Sequence, residues 1–362
     1  MKIFITLFSV FFLCQNGWSK NGPVYQSIKK VIEEVRPTPS MKNVDEFLEG
    51  LPRFKKSWSL EKQAKVLNNY IFKTYSITAD NSYLSRHQAD NILPDSVLNT
   101  KKGHCLGIST LYLLLAEKLE LQAYLVRTPK HVFVRLCKKK SCRNIETLKE
   151  GAKIEDKYYV DSQLISKSAL DKKLYLQNLD PSKVLVASIY NGLGFVAGTT
   201  NQNQLAHLFY LKATKSDPGF AEAHSNLAAI YSSSGELKAA ESELELAHNI
   251  NPFNSTVTLN LGILSRAKGA FTKAMNLFNK SISINPLNIA GYIHRSNLLI
   301  EKGNNKSAML DLERVLVIKP NLCSIREKAI EVAKKISAKN LDYHSFKLKD
   351  TKTRRRCENL LM

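Results

Sequence analysis

Four prolines at a constant spacing divide the second half of the chain into equal units. The interval is 34 residues, and it separates Pro218, Pro252, Pro286 and Pro320. Alanines recur with the same period at Ala206, Ala240, Ala274 and Ala308. The same register holds Asn201, Gly235, Gly269 and Gly303. A fixed period of this length is typical of repeat proteins, so the sequence predicts four stacked units over residues 187–320.

Each column has a physical role in a helical hairpin. The Gly or Asn position suits a left-handed turn between two helices, and the alanine lies where the helices approach closely. The proline follows the second helix and prevents its continuation. Large residues fill one core column, at Tyr210, Leu244, Phe278 and Leu312. A second column holds Leu193, Leu227 and Leu261 and is interrupted by Arg295.

This pattern resembles the tetratricopeptide repeat (TPR) family, which implies an all-α solenoid. Ser324 to Ile336 is amphipathic, and it predicts a capping helix within residues 321–340, followed by a basic tail at 341–362. Solenoids bind partners on the concave face, here formed by the first helix of each unit. The residues predicted to bind a partner there are Asn191, Phe195, Leu259, Ile263, Arg266, Ile293 and Asn297. This apolar, weakly charged face predicts a protein or peptide ligand, or packing against the chain's own N-terminal domain.

The first 19 residues have the composition of a secretory signal peptide. Lys2 precedes an apolar run from Ile3 to Cys14, which is shorter than the ~20 residues that span a bilayer. Gly17 and Ser19 are small enough for a cleavage site. We therefore predict an exported protein, periplasmic or secreted; a lipid anchor at Cys14 and an uncleaved membrane anchor are the alternatives.

Cysteine usage and charge set further expectations. In an oxidising compartment Cys137 and Cys142, on either side of a short Lys-rich turn, are predicted to form a disulfide. The cysteine spacings do not match a zinc site, so we predict no metal. The formal net charge of +21 is scattered along the chain and allows weak binding to anionic envelope polymers or lipid. Nucleic acid is not expected as a partner, because no recognition motif is present.

The N-terminal region, residues 20–180, contains one segment that suggests chemistry. Gly103-His104-Cys105 precedes a predicted helix from Leu106 to Leu119. Predicted strands follow at 123–127, 131–136 and 143–147, and His131 and Glu146 lie on the last two. A thiol at a helix N-terminus has a lowered pKa, and a histidine oriented by an acid can take its proton.

This segment resembles the transglutaminase-like superfamily, in the branch that is fused to tetratricopeptide repeats. The matching stretches are GHCLGIS, the Leu-rich helix, PKHVFVR and NIET. The resemblance implies an α+β domain in which Cys105 is the nucleophile, His131 the base and Glu146 the acid. Because the acid is more often Asp in this superfamily, Asp161 in the strand-like YYVDS is the alternative acid.

The predicted fold class is therefore an α+β transglutaminase-like N-terminal domain followed by an all-α TPR solenoid. The predicted function is that of a cysteine amidase, peptidase or acyltransferase acting on peptide-type amides, without a cofactor. The repeats would bind substrate or partner. The alternative is a non-catalytic TPR scaffold that mediates protein–protein interactions in the cell envelope.

Overall fold

The structure is a computed structural model, and it describes residues 20–80 and 91–336. The predicted signal peptide and the basic tail lie outside these residues. The N-terminal region is mixed. Its helices are α1 (Pro23–Val35), α2 (Lys42–Glu49), α3 (Leu60–Asn68), α4 (Pro94–Thr100), α5 (Cys105–Lys118), α6 (Asp156–Gln163) and α7 (Lys167–Asp171). Its strands are β1 (Thr78–Ala79), β2 (Lys102–Gly103), β3 (Gln122–Arg127), β4 (Val132–Lys138) and β5 (Ser141–Ile145).

Strands β3, β4 and β5 form an antiparallel sheet in chain order, against which helix α5 packs. In this sheet Val134 pairs with Leu125 on one side and Ile145 on the other, and all three are buried. Helix α5 is apolar on nearly all sides because neighbouring elements cover it, as expected for a central helix. It therefore holds its first residue in a fixed position relative to the sheet.

A run of helical hairpins follows the mixed region. These helices are α8 (Pro181–Thr199), α9 (Asn203–Ser216), α10 (Ala221–Ser233), α11 (Leu237–Ile250), α12 (Ser255–Ala267), α13 (Phe271–Ile284), α14 (Ile289–Glu301), α15 (Asn305–Ile318) and the terminal α16 (Cys323–Ile336). Gly235, Gly269 and Gly303 adopt positive φ between paired helices, as does Asn201. The predicted fold class, an α+β region followed by an all-α solenoid, is confirmed.

The interruption at Arg295 is compensated within the same hairpin. The Arg295 guanidinium donates from Nε and Nη2 to the two carboxylate oxygens of Asp311, at 2.9 and 2.6 Å. Asp311 is buried, and this two-point ion pair offsets the free-energy cost of burying its carboxylate charge. The equivalent positions in the third hairpin, 34 residues earlier, are Leu261 and Leu277, which belong to one apolar cluster. An ion pair therefore replaces an apolar pair in the fourth hairpin.

Two local expectations were wrong. The YYVDS stretch forms part of helix α6 and not a strand, with Tyr159 buried and Asp161 exposed. Leu259 does not lie on an open binding face, because it is 5% exposed and packs with Phe278 and Leu298. Within residues 20–80 and 91–336, none of the helices is long and apolar enough to cross a bilayer.

The solenoid packs directly on the mixed region. Helix α8 contacts α1, α5 and β3, and one apolar core continues from α1 to α10. Arg127, the last residue of β3, donates from Nη1 to Asp217 at 2.7 Å and from Nη2 to the Val184 carbonyl at 2.9 Å. Tyr175 accepts a hydrogen bond from Asn251 of the second hairpin at 2.7 Å. The first hairpins are therefore placed beside the sheet end that carries the candidate site.

Candidate active site

Cys105 is the first residue of helix α5, and two glycines allow its backbone to approach other elements closely. A Cβ added to Gly107 would lie 2.5 Å from the Asn91 carbonyl oxygen, and one added to Gly103 would lie 2.6 Å from Ile108. The His104 amide donates to the same Asn91 carbonyl at 2.9 Å. The GHCLG motif thus fixes the helix start against the chain at Asn91 and leaves the thiol beside the sheet.

Two imidazoles face the Cys105 sulfur. Nδ1 of His104 lies 3.1 Å from Sγ, and His131 is close enough to influence the pKa of the same thiol. Burial by itself raises the pKa of Cys105. The charges and hydrogen bonds of His104 and His131 outweigh it and lower this pKa from 9.0 to about 5. These interactions therefore favour the thiolate form of Cys105.

His131 precedes strand β4 and lies between the thiol and an acid. Its Nε2 is 3.0 Å from Oε1 and 2.9 Å from Oε2 of Glu146. Burial alone would lower the pKa of His131. Hydrogen bonds and charge interactions with Cys105 and Glu146 raise it to about 10. The structure thus brings His131, bonded to Glu146, close enough to Cys105 to lower the pKa of its thiol, an arrangement that suits a thiolate–imidazolium pair.

Glu146 follows strand β5 and is held by three donors. Besides His131, it accepts from the Tyr159 hydroxyl at 2.6 Å and from the Leu148 amide at 3.0 Å. Burial favours the neutral acid, but these bonds lower the pKa of Glu146 below its usual 4.5. Tyr159 also stacks on Phe133 with ring centroids 4.3 Å apart, so the tyrosine that holds the acid is itself fixed by packing against the sheet.

Asp161, the alternative acid, is exposed on α6 and does not take this place. The sequence analysis singled out the YYVDS stretch but missed Tyr159, which lies two residues before Asp161. The available signal was the residue type, since a buried tyrosine hydroxyl needs a hydrogen-bond partner. The catalytic roles of Cys105, His131 and Glu146 stay predictions, which the geometry allows.

Both regions of the chain match known protein families. A family model described as the transglutaminase-like superfamily matches residues 23–188, and a tetratricopeptide repeat model matches residues 209–242. The chain carries a transglutaminase-like domain followed by tetratricopeptide repeats.

Curated relatives and solved structures cover parts of the chain. It is 30% identical over 118 residues to the uncharacterized protein ycf37 of Pyropia yezoensis, over 31% of this chain and 66% of that protein. It is 30% identical over 121 residues to tetratricopeptide repeat protein 6 of Homo sapiens, over 33% of this chain and 23% of that protein. A solved structure of Pseudomonas aeruginosa pilF has a TM-score of 0.39 and 20% identity, over 41% of this chain and 68% of that one.

The transglutaminase-like domain and the repeats together enclose a cavity of about 710 Å³. Cys105, His104 and His131 line one side of it, and helices α8 and α10 of the repeats line another. Two of the predicted partner-binding residues, Asn191 and Phe195, are in this lining. The side chain of Asn191 accepts a hydrogen bond from Asn226 at 2.9 Å. The concave side of the first two repeats therefore opens onto the thiol.

The other predicted partner-binding residues lie elsewhere. Ile263 and Arg266 border a smaller depression, where Arg266 pairs with Glu301. Asn297 accepts a hydrogen bond from Lys328 of the terminal helix, and Ile293 packs against the core of the last repeat. The predicted surface is thus divided between the cavity and the far end of the solenoid.

Cys137 and Cys142 are joined by a disulfide. They lie opposite each other in the β4–β5 hairpin, where their register makes them partners. Among the described residues the free cysteine is Cys105. The hairpin bond leaves this thiol available for chemistry.

Proposed function

We propose that this protein is an exported cysteine amidase, peptidase or acyltransferase that acts on peptide-type amides. The observation that carries the proposal is that Cys105 and His131, the latter bonded to Glu146, line one cavity large enough for a peptide segment. Clefts of this size, with a few convergent polar groups and perturbed pKa values, are typical of active sites.

The chemistry follows from the protonation states. The Cys105 thiolate attacks the amide carbonyl carbon, and the bond to nitrogen breaks as the His131 imidazolium gives its proton to the leaving amine. The resulting thioester is then attacked by water or by an amine, and the neutral imidazole takes the proton of that nucleophile. Water gives hydrolysis, and an amine gives acyl transfer. The amide groups at the start of α5 support the developing oxyanion.

The repeats supply the binding surface in this proposal. The presence of tetratricopeptide repeats supports binding of a protein or peptide partner. Asn191 and Phe195 line the cavity that such a partner would enter. A weaker interaction with anionic envelope polymers or lipid would come from the net charge of +21. This second kind of binding would weaken steeply with added salt, whereas binding in the cavity would not.

Export belongs to the same proposal. The signal-like start motivates it, and the Cys137–Cys142 disulfide supports an oxidising compartment. N-terminal sequencing of protein recovered outside the cytoplasm should give a mature chain that begins at or near Lys20. An intact Met1 on a cytoplasmic product would contradict export without affecting the proposed chemistry.

Labelling with a thiol-directed amide mimic tests the enzyme proposal. Wild-type protein should be labelled at Cys105 far faster than the same protein in denaturant, and Cys105→Ala should abolish the labelling. Ser324→Ala, on the exposed surface of α16 and away from the cavity, is the control and should leave the rate unchanged. If native and denatured proteins react equally slowly, the non-catalytic scaffold should replace the enzyme.

A further inference from the structure

The lining of the cavity contains a carboxylate that the proposed chemistry does not use. Glu222, in the first turn of α10, lines the same cavity as Cys105. Its Oε1 accepts a hydrogen bond from the Asn254 amide at 2.9 Å. Among the described residues, no Lys, Arg or His side chain comes within ion-pair distance of Glu222, although the chain has a large excess of cations. Burial raises the pKa of this carboxyl group because a buried charge without a cation is costly.

The cation that acts on Glu222, Arg127, is committed to another acid. Arg127 pairs with Asp217 at 2.7 Å, stacks on Phe220 with 3.9 Å between the guanidinium carbon and the ring centroid, and donates to Ser188. It lowers the pKa of Glu222 only from a distance. The Arg127–Asp217 pair is thus satisfied, while Glu222 keeps a polar partner but no countercharge.

We propose that Glu222, held in place by Asn254, forms a subsite for a cationic group of the substrate, a primary ammonium or a guanidinium. The proposal rests on the enzyme function above, because the cation and the reacting amide would occupy one cavity. A bound cation would supply the missing countercharge and offset the cost of burying the carboxylate. A charge-assisted hydrogen bond of this kind is stronger than a neutral one, so it favours basic substrates over neutral substrates of the same shape.

Two lysines in the cavity lining do not remove this preference. Lys130 and Lys173 also face the cavity, but both are exposed, so water and salt screen their charges. Glu222 is partly buried, and a charge in that environment acts more strongly on a bound ligand. The rim lysines would therefore contribute little, and Glu222 would be the negative charge without a countercharge in the lining.

Matched alkylating probes test the subsite without knowledge of the substrate. The first probe is a chloroacetamide with a primary ammonium on a flexible alkyl linker, made in several lengths. The second is its N-acetylated, neutral analogue. At one of the linker lengths, the rate constant for Cys105 labelling should be about 5- to 10-fold higher for the ammonium probe, as expected for ~1 kcal/mol of charge pairing. Glu222→Gln keeps an acceptor for Asn254 and should bring the ratio close to one.

The controls separate the subsite from the enzyme proposal. Glu245→Gln makes the same charge change on the exposed surface of α11 and should keep the wild-type ratio. Glu222→Asp retains the charge and should keep part of the preference. Two outcomes would overturn the subsite alone. In the first, the neutral probe labels the wild-type protein as fast as the ammonium probe does. In the second, the preference for the ammonium probe is unchanged in Glu222→Gln. Loss of labelling by both probes would overturn the reactive cysteine, and the subsite with it.

Discussion

At the scale of single residues, the thiol is ionised by its surroundings. With the pKa of Cys105 at about 5 and that of His131 at about 10, the thiolate–imidazolium pair exists between these values. The alkylation rate of Cys105 should therefore be nearly constant from pH 6 to pH 9 and fall as the pH drops through about 5. For a thiol with a pKa of 9.0, the alkylation rate would instead rise about tenfold with each pH unit below that pKa.

The variant His131→Ala removes one of the two imidazoles that lower the pKa of Cys105. The midpoint of the pH–rate profile for Cys105 should then move upward, and the rate at pH 7 should fall. A stopped-flow or mass-spectrometric pH series would measure both. An unchanged profile would mean that His104, 3.1 Å from the sulfur, is sufficient to ionise it.

Tyr159 is expected to position the acid and not to react. Tyr159→Phe keeps the ring that stacks on Phe133 but removes the hydrogen bond to Glu146, which should destabilise the fold by about 1–2 kcal/mol. His131 would be held less firmly, so Cys105 alkylation at pH 7 should slow about 2- to 5-fold. Tyr158→Phe is the matched control, because this hydroxyl lies on an exposed residue.

The alternative acid can be tested in the same assay. Glu146→Ala should slow alkylation, but less than His131→Ala, since Glu146 orients the imidazole and does not itself take the proton. Asp161→Ala should leave the rate nearly unchanged because Asp161 is exposed on α6. The reverse order of effects would reassign the acid to Asp161.

At the scale of elements, the fourth hairpin contains a charged pair where the third is apolar. Arg295→Leu alone should cost about 3 kcal/mol, because it leaves the Asp311 carboxylate buried without its partner. The double variant Arg295→Leu/Asp311→Leu reproduces the Leu261–Leu277 arrangement and should recover most of that loss. Urea unfolding of the two single variants and the double variant would measure this. Additive losses would show that the ion pair is not a replaceable part of the core.

At the scale of the whole molecule, Arg127 links the sheet to the repeats. Arg127→Ala should destabilise the protein by about 2 kcal/mol, because it leaves Asp217 without its ion pair and removes the cation over Phe220. Both charged groups are partly exposed, so the loss should be smaller than for a fully buried pair. In a double-mutant cycle with Asp217→Ala, a coupling energy of about 1 kcal/mol is expected. A coupling near zero would show that the pair does not join the two regions energetically.

The sequence was sufficient for features that depend on neighbouring residues or on a fixed period. The 34-residue columns predicted the hairpins, because each repeat places the same residues at the same close approach and turn. The GHCLG motif likewise predicted a cysteine at a helix start, since glycines and the apolar run that follows are local signals. The His131 and Glu146 pairing was predicted from chain order and resemblance.

The tertiary structure decided which side chains meet across long separations. Tyr159 reaches Glu146 only because α6 packs against the sheet, where Tyr159 stacks on Phe133. The short YYVDS stretch has too little periodicity to distinguish helix from strand. Arg127 and Asp217 are 90 residues apart in the chain, and Glu222 faces the cavity of Cys105 only after α8 has packed on the sheet. Local patterns determine elements, whereas the packing of one element on another determines which distant charges share a cavity.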